Sequence, residues 1–274
     1  MAMRIITTKL DRYHTDATLT AYLRDTTPDI VTTTRPGIII CPGGGYAFVS
    51  PREAEPIALQ LSAQDNQAFV LDYSTTDRSD RRYPTQLLEL AEAVKTVRAN
   101  AADWGVDPEC IIVAGFSAGG HLAANLATQW DRLLTLKYGY DPASIRPNGL
   151  VLAYPVITNG AFGHQDSFKN LLGKQYGDPA LMQETSLELQ VTPSVPKTFI
   201  WHTDEDTLVP LENTLLFALA LRKAHVPVEF HAFAKGGHGL SLATEQTLSP
   251  ARTELQDAVA VWPQLLEKWL KQEF

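Results

Sequence analysis

The sequence predicts an α/β protein: one mostly parallel central sheet, helices on both faces, and a small cap inserted after a late strand. Three observations predict it. Short uninterrupted apolar runs read as strands covered on both faces. Segments with helical spacing separate those runs. Strand and helix in alternation force parallel pairing through right-handed crossovers.

In chain order, Thr18 to Leu23 alternates apolar with polar and reads as a half-exposed strand in an antiparallel leader. Thr26 to Thr34 reads as a loop carrying Pro28. The buried-strand runs are Gly37 to Cys41, Ala68 to Leu71, Ile111 to Ala114, Leu150 to Ala153 and Thr198 to Trp201, followed by a last strand from Val228 to Ala234. Between them, helices are predicted over Glu53 to Gln64, along Leu87, Leu90, Ala91, Val94 and Val97, over Ser117 to Gln129, and along Leu215, Leu219 and Arg222. A closing helix is expected from Ala251 to Lys271; its apolar residues Val259, Trp262, Leu266, Trp269 and Leu270 would pack on the sheet or pair subunits into a homo-oligomer.

Two connections break the alternation. Asp131 to Asn148 and Val156 to Pro196 are long, and the second holds helical pieces at Phe168 to Leu172 and Leu181 to Leu189. It follows a strand at the edge where ligands bind in an open α/β sheet, so residues 156–196 are expected to form the cap.

At 274 residues the chain fits a single domain over 1–274, because α/β folds often exceed the usual length of about 150 residues per domain. With 23 Lys+Arg against 31 Asp+Glu the net charge is −8, and no basic block exists to neutralise phosphates, which argues against nucleic acid and anionic membranes as partners. The start lacks the apolar stretch of a secretory signal, and no run approaches the roughly 18 apolar residues of a membrane span. Cys41 and Cys110 lie in apolar strand-like runs, as reduced, buried cysteines of a cytoplasmic protein do, and two are too few for a disulfide framework or a zinc site.

Gly115-Phe116-Ser117-Ala118-Gly119-Gly120 directly follows a strand and opens a helix. A serine forced into that tight turn needs neighbours without Cβ two before and two after it, and Gly115 and Gly119 fill both places. The helix end beneath Ser117 aims free N–H groups at developing negative charge. A serine alcohol is a poor nucleophile, so a base and an orienting carboxylate must follow in the order Ser, Asp or Glu, His.

His238, in the loop Lys235-Gly236-Gly237-His238-Gly239 after the last strand, is the expected base. His202 and His231 fall inside strands, His121 in the first turn of the helix after Ser117, and His14 and His225 in surface loops. Asp206 is the preferred carboxylate because it precedes Leu208-Val209-Pro210 at the mouth of a helix, with Asp204 as the alternative. The spacing His202-x-Asp204-x-Asp206 has no second ligand cluster to make it a metal site. Cys41-Pro42-Gly43-Gly44-Gly45-Tyr46 exposes bare backbone after the first parallel strand and lacks the Gly-Lys-Ser/Thr ending of a phosphate loop. The N–H groups of Gly44, Gly45 and Ala118 are therefore the expected donors to an oxyanion.

Pro42-Gly43-Gly44-Gly45-Tyr46, Leu71-Asp72-Tyr73 followed by Tyr83-Pro84, Trp104-Gly105-Val106-Asp107-Pro108, Gly115 to His121, His202 to Asp206 and Gly237-His238-Gly239 together resemble the α/β-hydrolase esterase/lipase family, including its hormone-sensitive-lipase-like and acetyl-xylan or feruloyl-esterase-like members. Two departures stand out. Pro42 occupies the place of the His in His-Gly-Gly-Gly, which removes a side chain that supports the loop, and Asp72-Tyr73-Ser74-Thr75-Thr76 replaces a Tyr-Arg-Leu-Ala-Pro segment. The resemblance implies a serine esterase for a small-molecule, short-acyl ester, with no cofactor. Tyr46, Phe162, His164 and Phe168 are the expected pocket residues. Two rival readings are a peptidase of the prolyl-oligopeptidase type, for whose extra domain the chain leaves no room, and a non-catalytic hydrolase-fold binding protein, which would have lost a triad member.

Overall fold

Side chains along the parallel strands point alternately into two separate cores, which is why these strands read as unbroken apolar runs. Ile39, Phe69, Val113, Leu152 and Ile200 lie in one core. Their neighbours Ile38, Ile40, Val70, Ala114, Val151 and Trp201 lie in the other. The computed structural model describes residues 3–27, 29 and 31–274; Pro28 of the expected Thr-rich loop lies outside the described residues.

Eight strands form one sheet: β1 (Met3–Lys9), β2 (Thr18–Arg24), β3 (Arg35–Cys41), β4 (Gln67–Asp72), β5 (Val106–Phe116), β6 (Gly149–Ala153), β7 (Thr198–Thr203) and β8 (Val228–Phe233). Their spatial order is β1-β2-β4-β3-β5-β6-β7-β8. β2 runs antiparallel to both β1 and β4, and every other pairing is parallel. The helices are α1 (Glu55–Ala63), α2 (Thr85–Ala99), α3 (Ala101–Trp104), α4 (Ala118–Gln129), α5 (Leu133–Tyr138), α6 (Pro142–Ile145), α7 (Gln165–Leu172), α8 (Pro179–Glu184), α9 (Glu212–Lys223) and α10 (Trp262–Glu273). α2, α4 and α9 cover the first core through Leu87, Val94, Leu122 and Phe217. α1 and α10 cover the second through Ile57, Leu61, Trp262 and Leu266. There Trp201 and Trp262 stack at 5.6 Å, and a large apolar side chain buried this fully contributes about 1.5–3 kcal/mol.

The structure corrects the sequence reading at several places. β1 was not expected; exposed along most of its length, it offers little apolar pattern. The expected closing helix begins at Trp262 rather than Ala251. Pro263 is tolerated only in the first turn of a helix, and the stretch before it is held otherwise, with Glu254 paired to Arg52 at 3.4 Å. Val259, Trp262, Leu266, Trp269 and Leu270 are all buried within this chain, which removes them from any subunit contact. The helix expected to open at Glu53 starts at Glu55 after a separate 3-10 turn, Pro51–Glu53. The piece from Leu181 to Leu189 splits into the end of α8 and a 3-10 turn, Leu187–Leu189. Cys41 and Cys110 are free and buried. Among the described residues no helix is long and apolar enough to cross a membrane.

Candidate active site

Ser117 joins β5 to α4 with φ 54° and ψ −120°, a conformation that costs a non-glycine residue on the order of 1–3 kcal/mol. Close backbone packing imposes it. A Cβ on Gly115 would stand 2.2 Å from the Gly119 carbonyl oxygen, and one on Gly119 would stand 2.0 Å from that of Cys41. The Ser117 N–H donates to Ala153 O at 3.0 Å, pinning the turn to the end of β6. Ala118, first residue of α4, has no carbonyl four residues back inside the helix to receive its N–H.

The loops after β7 and β8 bring Asp206 and His238 to this turn. His238 Nε2 lies 2.8 Å from Ser117 Oγ, and its Nδ1 lies 2.6 Å from Asp206 Oδ2. With Nδ1 facing a carboxylate, the ring proton sits there and the Nε2 lone pair faces the serine hydroxyl. Asp206 is buried, while its neighbours Asp204 and Glu205 are exposed. Both Asp206 oxygens are in use: Oδ1 accepts from the N–H groups of Leu208 and Val209, and Oδ2 also faces His202 Nε2 at 3.2 Å. His202 Nε2 also faces Val209 O at 2.9 Å, so that nitrogen carries the proton and Nδ1 accepts from Thr214 Oγ1 at 2.8 Å. Burial pushes the Asp206 carboxyl up, but the hydrogen bonds from His202 and His238, the charge of His238 and the Val209 N–H outweigh it and hold the group well below the ordinary carboxylate range.

The glycine loop after β3 stands on the other side of Ser117. Its carbonyls are all occupied: Pro42 O accepts from Tyr73 OH at 2.7 Å, Gly43 O from Ser50 N at 3.0 Å and Gly44 O from Ala47 N at 2.9 Å. In a trans peptide the N–H points opposite to the C=O. The Gly44 and Gly45 N–H groups therefore point away from those partners, and both residues line a cleft of about 410 Å³ together with Ser117 and His238. Gly44 requires glycine, having φ 119° and a Cβ position 2.0 Å from Phe48 O.

Of the four expected pocket residues, His164 alone lines this cleft. Its Nδ1 lies 2.8 Å from Ser167 Oγ, and burial, then the charge of His238, lowers its pKa. Tyr46 and Phe168 are buried instead. The Tyr46 hydroxyl lies 2.8 Å from His121 Nδ1, and the Phe168 ring meets the His121 ring edge-on at 5.2 Å. Phe162 is exposed and outside the lining, and its carbonyl accepts from Asn213. Sequence reasoning missed Glu53, Asn170 and the link of His202 to Asp206. Asn170, on α7, donates to Gly45 O at 2.9 Å and ties the β6–β7 connection to the glycine loop. The spacing of four between His202 and Asp206 was the one available signal. Among the described residues no cluster of three or more His, Cys, Asp or Glu could hold a metal ion.

Comparison with known proteins agrees with this architecture. BD-FAE matches residues 26–221. The chain is 38% identical over 213 residues to endo-1,4-beta-xylanase B of Butyrivibrio fibrisolvens, covering 77% of this chain and 33% of that protein. It is 31% identical over 212 residues to the acetylxylan esterase of Xylanibacter ruminicola, covering 76% and 41%. The chain thus spans about a third of the length of the first of these relatives and about two fifths of the second. Among solved structures it is similar to the acetyl ester-xyloside bifunctional hydrolase of Caldicellulosiruptor lactoaceticus, with TM-score 0.81, 38% identity and coverage of 94% and 89%. It is similar also to the carboxylesterase Cest-2923 of Lactobacillus plantarum, with TM-score 0.84, 31% identity and coverage of 100% and 98%. With the strand-turn-helix at Ser117 and the sheet that carries it, these matches make the chain a member of the BD-FAE family, within the α/β-hydrolase esterases and lipases.

Proposed function

We propose that this chain is a serine carboxylesterase acting on short-acyl esters. Ser117 Oγ attacks the ester carbonyl while His238 Nε2 takes its proton, and Asp206 holds the imidazolium that results. The oxygen of the tetrahedral intermediate receives the N–H groups of Gly44, Gly45 and Ala118, each worth about 3 kcal/mol in the transition state. His238 returns the proton to the leaving alcohol, and water repeats the cycle on the acyl-enzyme. These residues and water account for every proton and electron pair. The carrying observation is the unbroken chain from Ser117 through His238 to Asp206, at 2.8 and 2.6 Å, with the serine and the imidazole opening on a cleft.

The 156–196 connection acts as a cap on a single hydrolase domain, in keeping with His164 and Asn170 at the cleft. The polar residues Ser50, Asp166 and Asn170 in the cleft lining suit a hydroxyl-rich alcohol. The relatives named for acetylxylan and acetyl esters favour an acetylated carbohydrate. The two free thiols fit a reducing, cytoplasmic setting.

The test is initial rates with p-nitrophenyl acetate, butyrate and decanoate for wild type and Ser117→Ala. The expected result is a rate that falls with chain length and drops by about 10⁴ or more in the variant. Equal rates in both proteins, or no turnover in either, would remove Ser117 from the mechanism or take simple esters out of the substrate class.

A further inference from the structure

Glu53 stands at the floor of the cleft, 4% exposed, and each of its carboxyl oxygens takes a hydrogen bond from a different part of the site. Oε2 accepts from the Gly43 N–H at 2.8 Å, and Oε1 accepts from Tyr154 OH at 2.7 Å. The Tyr154 oxygen in turn accepts from the N–H of Ser241, three residues beyond His238, at 2.9 Å. Ser241 is itself anchored: its hydroxyl donates to Arg52 O at 2.6 Å and its carbonyl accepts from Trp262 Nε1 at 2.9 Å. Three hydrogen bonds thus run from the glycine loop through Glu53 and Tyr154 into the loop of the base. The Tyr154 ring also meets the His238 ring edge-on at 5.1 Å.

We infer that Glu53 is a positioning residue whose carboxyl group holds the glycine loop and the His238 loop in one register, so that the oxyanion donors and the base face Ser117 together. The inference rests on the esterase reading above. Gly43 N–H and Pro42 C=O belong to one rigid peptide plane, which Glu53 holds at one end and Tyr73 OH at the other. That plane anchors the start of the loop, and the next two peptides, those carrying the Gly44 and Gly45 N–H groups, continue from it with their carbonyls held by Ser50 N and Ala47 N. Room for relaxation is absent, since even a Cβ on Gly43 would stand 2.7 Å from Glu53 Oε2 and 2.9 Å from Ser117 Cβ. Burial, and then the charge of Glu53, push the Tyr154 phenol well above its ordinary range, so it remains a donor at working pH. A loop released by loss of Glu53 would still admit the planar ester but would meet the tetrahedral oxyanion badly. The loss therefore belongs to kcat rather than KM.

The test compares wild type, Glu53→Leu, Glu53→Gln and Tyr154→Phe with p-nitrophenyl acetate, together with inhibition by a trifluoromethyl ketone that forms a tetrahedral adduct on the serine. Glu53→Leu is expected to lower kcat about a hundredfold, with KM within about threefold and ketone affinity weakened in proportion to kcat/KM. Glu53→Gln keeps one oxygen for Gly43 and should return kcat to within about tenfold of wild type, and Tyr154→Phe should cost about fivefold. Wild-type kcat in Glu53→Leu, or a Gln variant no better than the Leu variant, overturns the inference. Should Glu53→Leu fail to fold, the Gln and Phe variants decide: a loss confined to kcat supports the strut and wild-type kcat in both removes it. Wild-type turnover abolished by Ser117→Ala keeps the esterase reading in place whatever these variants do, and its absence overturns both.

Discussion

The two halves of the site are built by opposite means. The Ser117 turn is held by backbone packed against backbone, with glycines at 115 and 119 where a single Cβ would stand about 2 Å from a carbonyl oxygen. The Asp206 and His238 arm is held by hydrogen bonds: His202 and the backbone amides of Leu208 and Val209 orient Asp206, and the Tyr154 ring packs edge-on against His238. A sterically built turn is rigid and fails as a whole. A hydrogen-bonded arm can lose one partner and still fold, with its cost appearing in the rate.

Gly119→Ala attacks the first half. Its Cβ would meet the carbonyl oxygens of Cys41 at 2.0 Å and Pro42 at 2.4 Å, neither of which can swing aside. Stability measured by urea unfolding should fall by about 4 kcal/mol, and activity with it. A variant as stable as wild type would mean that the turn is not held by contact.

His121, in the first turn of α4, ties the Ser117 half to Tyr46 beside the glycine loop and to the 156–196 connection, with Nδ1 toward Tyr46 OH and Nε2 toward Thr185 O at 2.9 Å. Burial lowers its pKa to about 4, against a partial opposing effect of the Thr185 carbonyl. On acidification the unfolded chain takes up this proton near pH 6.5, and the folded protein only near pH 4. The contribution is complete above about pH 6.5 and is lost toward pH 4, amounting to about 3 kcal/mol across that interval. Urea unfolding between pH 7 and 4 measures it. His121→Gln should lower stability at pH 7 and flatten the slope; an unchanged slope would assign the acid sensitivity elsewhere.

The smallest expected effect falls on the second half. His202→Gln removes a donor to Asp206 Oδ2 and leaves His238 in contact. The rate should drop about tenfold with stability changed by about 1 kcal/mol. A loss of stability as large as that from Gly119→Ala would erase the distinction between the halves.

This difference also explains what was legible in the sequence. The Ser117 turn and the glycine loop announce themselves because steric demands are met by glycine at fixed offsets within a few residues. The parallel strands are legible because burial on both faces leaves unbroken apolar runs. Glu53 left no trace, since its partners Gly43 and Tyr154, and Ser241 beyond Tyr154, meet only in the folded protein and a glutamate at a helix start reads as solvated. Tyr46 and Phe168 look like pocket residues for the same reason: only tertiary packing turns them inward onto His121. Pro42 supplies no side chain to brace the loop, and Tyr73 and Glu53 do so from elsewhere in the chain. β1 escaped notice as an exposed edge strand.

The most direct test of the account is to quench p-nitrophenyl acetate turnover in acid and map the acylated peptide by mass spectrometry. The account predicts one acetyl group on Ser117 in the wild type and none in Ser117→Ala. Turnover without acetylation of Ser117, or acetyl transfer to another residue that persists in the variant, would contradict it.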